Sequence, residues 1–296
     1  MRRILFAFAA SLLLLAFFDA CQEPREKSII SLRSLSQQSP VASHQVALEV
    51  LQASKDWIAA FNRDDVGACI EVYLPHARMR AEPFGLKKDR KEISDFWKPF
   101  LASGASNLAY TQVGIEVAND TTAFLSANWS MSSGSGVVYQ EKWVKRGGLW
   151  KLSYVDWEMQ EKYDTPIVRD VDPTGSHSAL EDVLKASMDW ISNFNARDGQ
   201  ACGKSYLDKA SMNAEPFANL DGREAITAFW AKLIEDGAKK LVYSNVRIRQ
   251  VNDHAVRLAS DWSMNIGSGR IYQEKWVKTK SGWRLGYDEF EEIKQP

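Results

Sequence analysis

Apolar positions recur at helical intervals over residues 46–61, where Val46, Val50, Trp57 and Phe61 share one side. Asp64-Asp65 offers an N-cap for a short second helix reaching Tyr73. Residues 90–102 predict a third helix, with Ile93, Phe96, Trp97 and Leu101 on one side and Pro99 placed to kink it. Then the period changes to two. Leu125, Ala127, Trp129 and Met131 alternate with Ser126, Asn128 and Ser130, and Trp150, Leu152 and Tyr154 alternate with Lys151 and Ser153. Asn119-Asp120, Gly134-Ser135-Gly136 and Gly147-Gly148 sit where hairpin turns are expected. Helices first and antiparallel strands afterwards predict an α+β domain.

The same pattern is written twice. Residues 51–159 align with 184–292 at a constant offset and without a gap, about 49 of about 109 positions being identical. Asp56-Trp57-Ile58 returns as Asp189-Trp190-Ile191, Ala81-Glu82-Pro83-Phe84 as Ala214-Glu215-Pro216-Phe217, and Trp129-Ser130-Met131 as Trp262-Ser263-Met264. The segment from Tyr139 to Lys145 returns unchanged from Tyr272 to Lys278. Each copy is domain-sized, so the chain is a tandem duplication rather than a solenoid.

The N-terminus departs from this pattern. Arg2-Arg3, an apolar run over 4–18 and Asp19-Ala20-Cys21 describe a secretory signal, and the run is shorter than a spanning helix needs. The polar, Ser- and Gln-rich stretch that follows reads as a tether. The expected organisation is a signal segment over 1–21, a tether over 22–44, domain 1 over 45–160, a linker carrying Pro166, Pro173 and Gly175 over 161–177, and domain 2 over 178–294.

Composition adds exclusions. The 296 residues are 45% hydrophobic and 25% charged, ample for packed cores. A formal net charge of −1 gives no nucleic-acid footprint. Three cysteines cannot build a disulfide framework, and the repeat-equivalent Cys69 and Cys202 read as small buried residues. Histidines 44, 76, 177 and 254 are scattered, with no close pair and no repeat equivalence expected. No metal site or cofactor is therefore expected, and no phosphate loop or nucleophile elbow is present.

Cys21 directly after Ala20 resembles the lipobox of bacterial lipoproteins. That implies acylation of Cys21, membrane contact through this lipid alone, and a place in the cell envelope facing the periplasm. Two helices, Ala-Glu-Pro-Phe, a third helix and strands ending in Gly-x-Trp-(Lys/Arg)-Leu resemble the NTF2-like superfamily, most of all its SnoaL-like and ketosteroid-isomerase-like branch. The resemblance implies two tandem cones, each with about three helices on a curved antiparallel sheet and a pocket between them. It also implies that the copies pack as an intrachain pseudo-dimer, through the sheet faces by which many relatives dimerise.

It further brings Glu82 and Glu215 near the position of the family's general base, and puts Trp57 and Trp190 where the isomerases carry a helix-one tyrosine. Gln140 and Gln273 fall at the second oxyanion-hole position. These glutamates are candidate acid/base residues. Trp57, Trp97, Trp129, Trp190, Trp230 and Trp262 are candidate pocket walls or core, and Gln140 and Gln273 candidate polar contacts for a ligand. Strict alternation groups Tyr139, Glu141 and Trp143 on one face against Gln140, Lys142 and Val144, without saying which face is inside. The expectation is a solvent-facing ion pair for Glu141 and Lys142. Three readings follow: binding of a small apolar ligand or an envelope partner, an isomerase, cyclase or dehydratase using the glutamates, and an interaction scaffold with closed pockets.

Overall fold

The computed structural model describes residues 39–294; the expected signal segment, Cys21 and most of the expected tether lie outside the described residues. The first copy runs α1 (Ala42–Asn62), α2 (Val66–Glu71), β1 (Tyr73–Glu82), β2 (Gly85–Lys87), α3 (Arg90–Ala102), β3 (Ala109–Asn119), β4 (Thr122–Met131), β5 (Gly134–Arg146) and β6 (Leu149–Lys162). The second repeats the order as α4 (Gly175–Asn195), α5 (Gly199–Lys204), β7 (Tyr206–Glu215), β8 (Ala218–Asp221), α6 (Arg223–Glu235), β9 (Val242–Asn252), β10 (Ala255–Met264), β11 (Gly267–Thr279) and β12 (Gly282–Lys294). Among the described residues no helix is long and apolar enough to cross a membrane.

Local signals act where expected. Asp65 caps α2 by accepting from Ala68 N–H at 3.0 Å, and Asp89 caps α3 by accepting from Glu92 N–H at 2.8 Å. The glutamate answers by accepting from Lys88 N–H at 2.8 Å, so the first turn of α3 is closed from both sides.

Three expectations are corrected. The stretch between α2 and α3 is a hairpin, β1–β2, and Tyr73 opens a strand instead of ending a helix. Tyr73, Ala77, Met79 and Ala81 face the core, and β1 lies parallel to β6, which adds two strands to the expected meander. Gly134-Ser135-Gly136 is the start of β5, not a turn. A Cβ on Gly136 would sit 1.9 Å from the Glu158 carbonyl oxygen and 2.9 Å from the Trp129 ring, so the glycine permits a close strand approach. Gly269 meets Glu291 and Trp262 in the same way. Finally, α1 and α4 begin inside the expected tether and linker, because Ser43, His44, Ser176 and His177 are buried.

The copies share one twelve-stranded sheet in the order β2-β1-β6-β5-β4-β3-β9-β10-β11-β12-β7-β8. At its centre β3 and β9 are antiparallel, with Gly114 opposite Arg249, Ile115 opposite Ile248 and Glu116 opposite Arg247. The copies thus join edge to edge, not face to face, because β3 and β9 present unpaired backbone groups that complete each other. Register shifts along β1, β3, β4, β5 and β6 and their counterparts mark bulges that curve each half around its helices.

Helices α1 and α4 close the joint from the inner side. His44 Nε2 lies 3.0 Å from Ser187 Oγ, and His177 Nε2 lies 3.0 Å from Ser54 Oγ. Ser43 and Ser176 accept from Val246 N–H and Val113 N–H at 3.0 and 2.9 Å. His44 and His177 are therefore repeat equivalents, which corrects the expectation of none: the aligned segments begin after both histidines. Burial lowers both imidazoles to about 3.

A folded pKa below the ordinary histidine value of 6.5 makes the unfolded chain the better proton acceptor below pH 6.5. The stability each histidine supplies is complete above that pH. It falls by about 1.4 kcal/mol per pH unit on acidification toward 3. Urea unfolding at pH 7 and pH 5 should show wild type losing more stability than His44→Gln; equal losses would contradict a buried neutral imidazole at the joint.

Candidate functional site

Each half brings four large rings to the inside of its curve. In the first, Trp57 from α1, Trp97 from α3, Trp129 from β4 and Trp157 from β6 meet, with Trp97 stacked on Trp157 at 6.0 Å and Trp129 edge-on to it at 5.7 Å. In the second, Trp190, Trp230 and Trp262 meet Phe290, which stands where the first copy has Trp157. All six expected tryptophans are thus brought together in two groups of three. They leave cavities of only about 30 Å³ and about 20 Å³, room for a water or so in each.

The acids at these cavities are not the expected ones. Glu82 has 43% of its side chain exposed and accepts from Arg80 Nε at 3.1 Å. Its neighbours Met79 and Ala81 take the inward positions of β1, so the alternation of the strand sends Glu82 outward. Glu215 is likewise exposed, accepting from Asn213 Nδ2 at 3.3 Å. Neither lines a cone.

Glu141 does line one. It is 3% exposed and accepts from Tyr110 O–H and from Trp143 Nε1–H, both at 2.9 Å. Burial pushes its carboxyl up to about 7, partly offset by the two donors. In the second copy Glu274 accepts from Tyr243 O–H at 3.0 Å and Trp276 Nε1–H at 2.8 Å. Opposite it on β12 stands Asp288, where the first copy has Val155. Asp288 accepts from Tyr206 O–H at 2.6 Å, and that hydroxyl accepts from Trp230 Nε1–H at 3.1 Å. Burial raises both carboxyls, and the charge of Asp288 raises Glu274 further. The two cones therefore differ chemically: one carboxyl in the first, a facing pair in the second.

A bulge explains why strict alternation put Glu141 in doubt. The register of β5 on β6 shifts between Val138 and Gln140, so Val138, Glu141 and Trp143 all point inward. Tyr139 is 53% exposed, and Gln140 lies on the outer face of the sheet. The same shift between Ile271 and Gln273 repeats this arrangement. Gln140 and Gln273 thus leave the cones, correcting their expected role, and the pair Glu141 and Lys142 is split between core and surface.

On the outer face Gln140 and Gln273 flank a groove of about 640 Å³ that crosses the β3–β9 joint. Glu116, Arg247, Arg249 and Arg257 line it, with Tyr139 and Tyr272 on either side. The Tyr139 and Tyr272 hydroxyls donate to Glu158 and Glu291, which fixes both rings. Reading identities between the copies passes over this groove, because its arginines are positions at which the copies differ.

Cys69 and Cys202 are buried free thiols, pushed up to about 12 by burial. Among the described residues no group of three or more His, Cys, Asp or Glu side chains could hold a metal ion.

No protein-family profile and no curated protein matches the chain. Among solved structures it is similar to an NTF2-like protein with a cystatin-like fold from Novosphingobium aromaticivorans, at 16% identity over 39% of this chain and 82% of that one, with a TM-score of 0.33. It is similar to a protein of unknown function from Pectobacterium atrosepticum at 20% identity, over 39% and 91%, with a TM-score of 0.35. It is also similar to a ketosteroid isomerase-like protein from Erwinia carotovora atroseptica at 13% identity, over 37% and 92%, with a TM-score of 0.33.

A raised carboxyl pKa has the opposite linkage from the histidines. The folded state holds the Glu141 proton up to about 7, whereas the unfolded chain releases it near 4.5. The stabilisation is complete below pH 4.5 and is lost, by about 1.4 kcal/mol per pH unit, as the pH rises to about 7. Glu141→Gln removes this slope, so its melting temperature should gain on wild type between pH 5 and pH 7. Parallel curves would mean that Glu141 is not buried.

Proposed function

We propose that this chain is an exported, lipid-anchored binding protein of the bacterial cell envelope, facing the periplasm, that takes its ligand or partner on the outer face of the shared sheet. The carrying observation is where the space is. The two cones hold about 30 Å³ and about 20 Å³, while the groove across the joint holds about 640 Å³ and draws residues from both copies. Sites for small molecules fall at roughly 300–1,000 Å³, a range the groove meets and the cones do not. Arg2-Arg3, the apolar run over 4–18 and Cys21 support export and acylation. In this reading the tryptophans are the packed supports of the sheet, and binding moves from the cones to the groove.

A second reading, an acid–base enzyme, is favoured by one observation. Glu274 and Asp288 face each other in an enclosed apolar site, Glu274 accepting from a hydroxyl and an indole and Asp288 from the Tyr206 hydroxyl. Like charges so placed separate their ionisations, leaving one acid and one base. A substrate would have to displace the Trp190, Trp230 and Trp262 cluster. The acid/base role, if exercised, falls to this pair and not to Glu82 and Glu215.

One titration separates the readings. Tryptophan emission of the full chain should stay unchanged across a panel of small apolar and amphipathic compounds. Saturable quenching that disappears in Trp262→Phe would overturn the closed-cone account and favour the enzyme.

A further inference from the structure

We infer that the groove across the β3–β9 joint is a binding site for a small oxyanion, a molecule carrying phosphate or two or more carboxylates, held by Arg247, Arg249 and Arg257. The inference deepens the proposed outer-face binding and rests on it.

The cross-strand register aligns the positive charges. Gly114 on β3 is opposite Arg249 on β9, Arg249 is opposite Arg257 on β10, and Arg257 is opposite Lys275 on β11. Residues opposite one another share a sheet face, so three cations stand in a row on strands about 5 Å apart. Like charges placed directly opposite destabilise a sheet. A second row contributes Arg247, opposite Glu116. Glu116 is the one carboxylate lining the groove, against three arginines.

These charges have few partners of their own. Among the described residues, the side chains of Arg247, Arg257 and Lys275 make no hydrogen bond or ion pair. Arg249 is the exception, and its contacts position it: it donates to Ser126 Oγ at 2.6 Å and to the Gln112 carbonyl at 3.4 Å, reaching across the joint. A Cβ on residue 114 would lie 3.0 Å from its Nε, so Gly114 makes room for the guanidinium.

The duplication supplies an internal control. Arg247, Arg249 and Arg257 correspond to Gly114, Glu116 and Phe124 of the first copy. The first copy's row is thus Glu116, Phe124 and Lys142, in which opposite charges flank a ring. Only one copy carries the basic row, and the other leaves space beside it. Arginine forks match carboxylate and phosphate oxygens in pairs, and strands about 5 Å apart set two forks at a spacing one multivalent anion can bridge. Tyr139 and Tyr272 wall the groove, favouring a small molecule over a flat surface.

The test titrates the detergent-solubilised full chain with inorganic pyrophosphate and, separately, citrate at constant ionic strength, followed by calorimetry. At least one anion should bind saturably, and the stronger of the two assigns phosphate or carboxylate. Arg257→Phe, which restores the first copy's residue, should weaken binding at least tenfold while its anion-free melting temperature stays equal or rises. Lys91→Ala, on the remote helix α3, should bind as wild type does. Absence of saturable binding by either anion would overturn the site, as would equal binding by Arg257→Phe. Arg257-dependent sedimentation with phosphatidylglycerol vesicles, without binding of either free anion, would overturn the small-molecule assignment. Such failures leave tryptophan emission silent, whereas open cones would report there, so the two readings fail separately.

Discussion

The antiparallel pairing of β3 with β9 is the constraint on which the rest of this molecule depends. Each copy alone would end in a long strand with an open row of N–H and C=O groups, the kind of edge that recruits further chains. Joining the copies pairs the middle of each edge, residues 114–116 with 247–249, and leaves β2 and β8, three and four residues long, as the outermost strands of the described sheet. The reciprocal His44–Ser187 and His177–Ser54 pairs then lock the helices across the same joint. Histidines held neutral by burial make the joint sensitive to acid.

The joint also decides where function is available. Inside each curve the tryptophans, tyrosines and buried carboxyls fill the space that a cone would otherwise offer. Outside, the two halves form a surface that neither possesses alone. Duplication allows such a surface to become asymmetric, because one copy can change without the other. Gly114 facing Arg249 shows the result: a small residue in one copy accommodates a cation from its sister.

Much of the fold was legible from periodicity and repetition, and the parts that were not have identifiable causes. The retained Trp57, Trp97 and Trp129 mark the cone walls because ring packing tolerates little substitution. Glu82 misled because the family resemblance located it near a base, while the parity of β1 (Met79 and Ala81 inward) directs it outward. Glu141 was obscured by a single bulged position at Tyr139–Gln140, which no two-residue alternation can register. The hairpin β1–β2 was missed because its parallel partner, β6, lies far along the chain. The groove escaped because it is written in the differences between the copies: an identity-based comparison passes over Arg247, Arg249 and Arg257.

Hydrogen exchange along the full chain is the most direct test of the shared joint. The account predicts that backbone amides of Ile115 in β3 and Ile248 in β9 exchange as slowly as those of the interior strands β4 and β10. Exchange there as fast as in the border strands β2 and β8 would contradict it, and would return the chain to two separate cones with no common face.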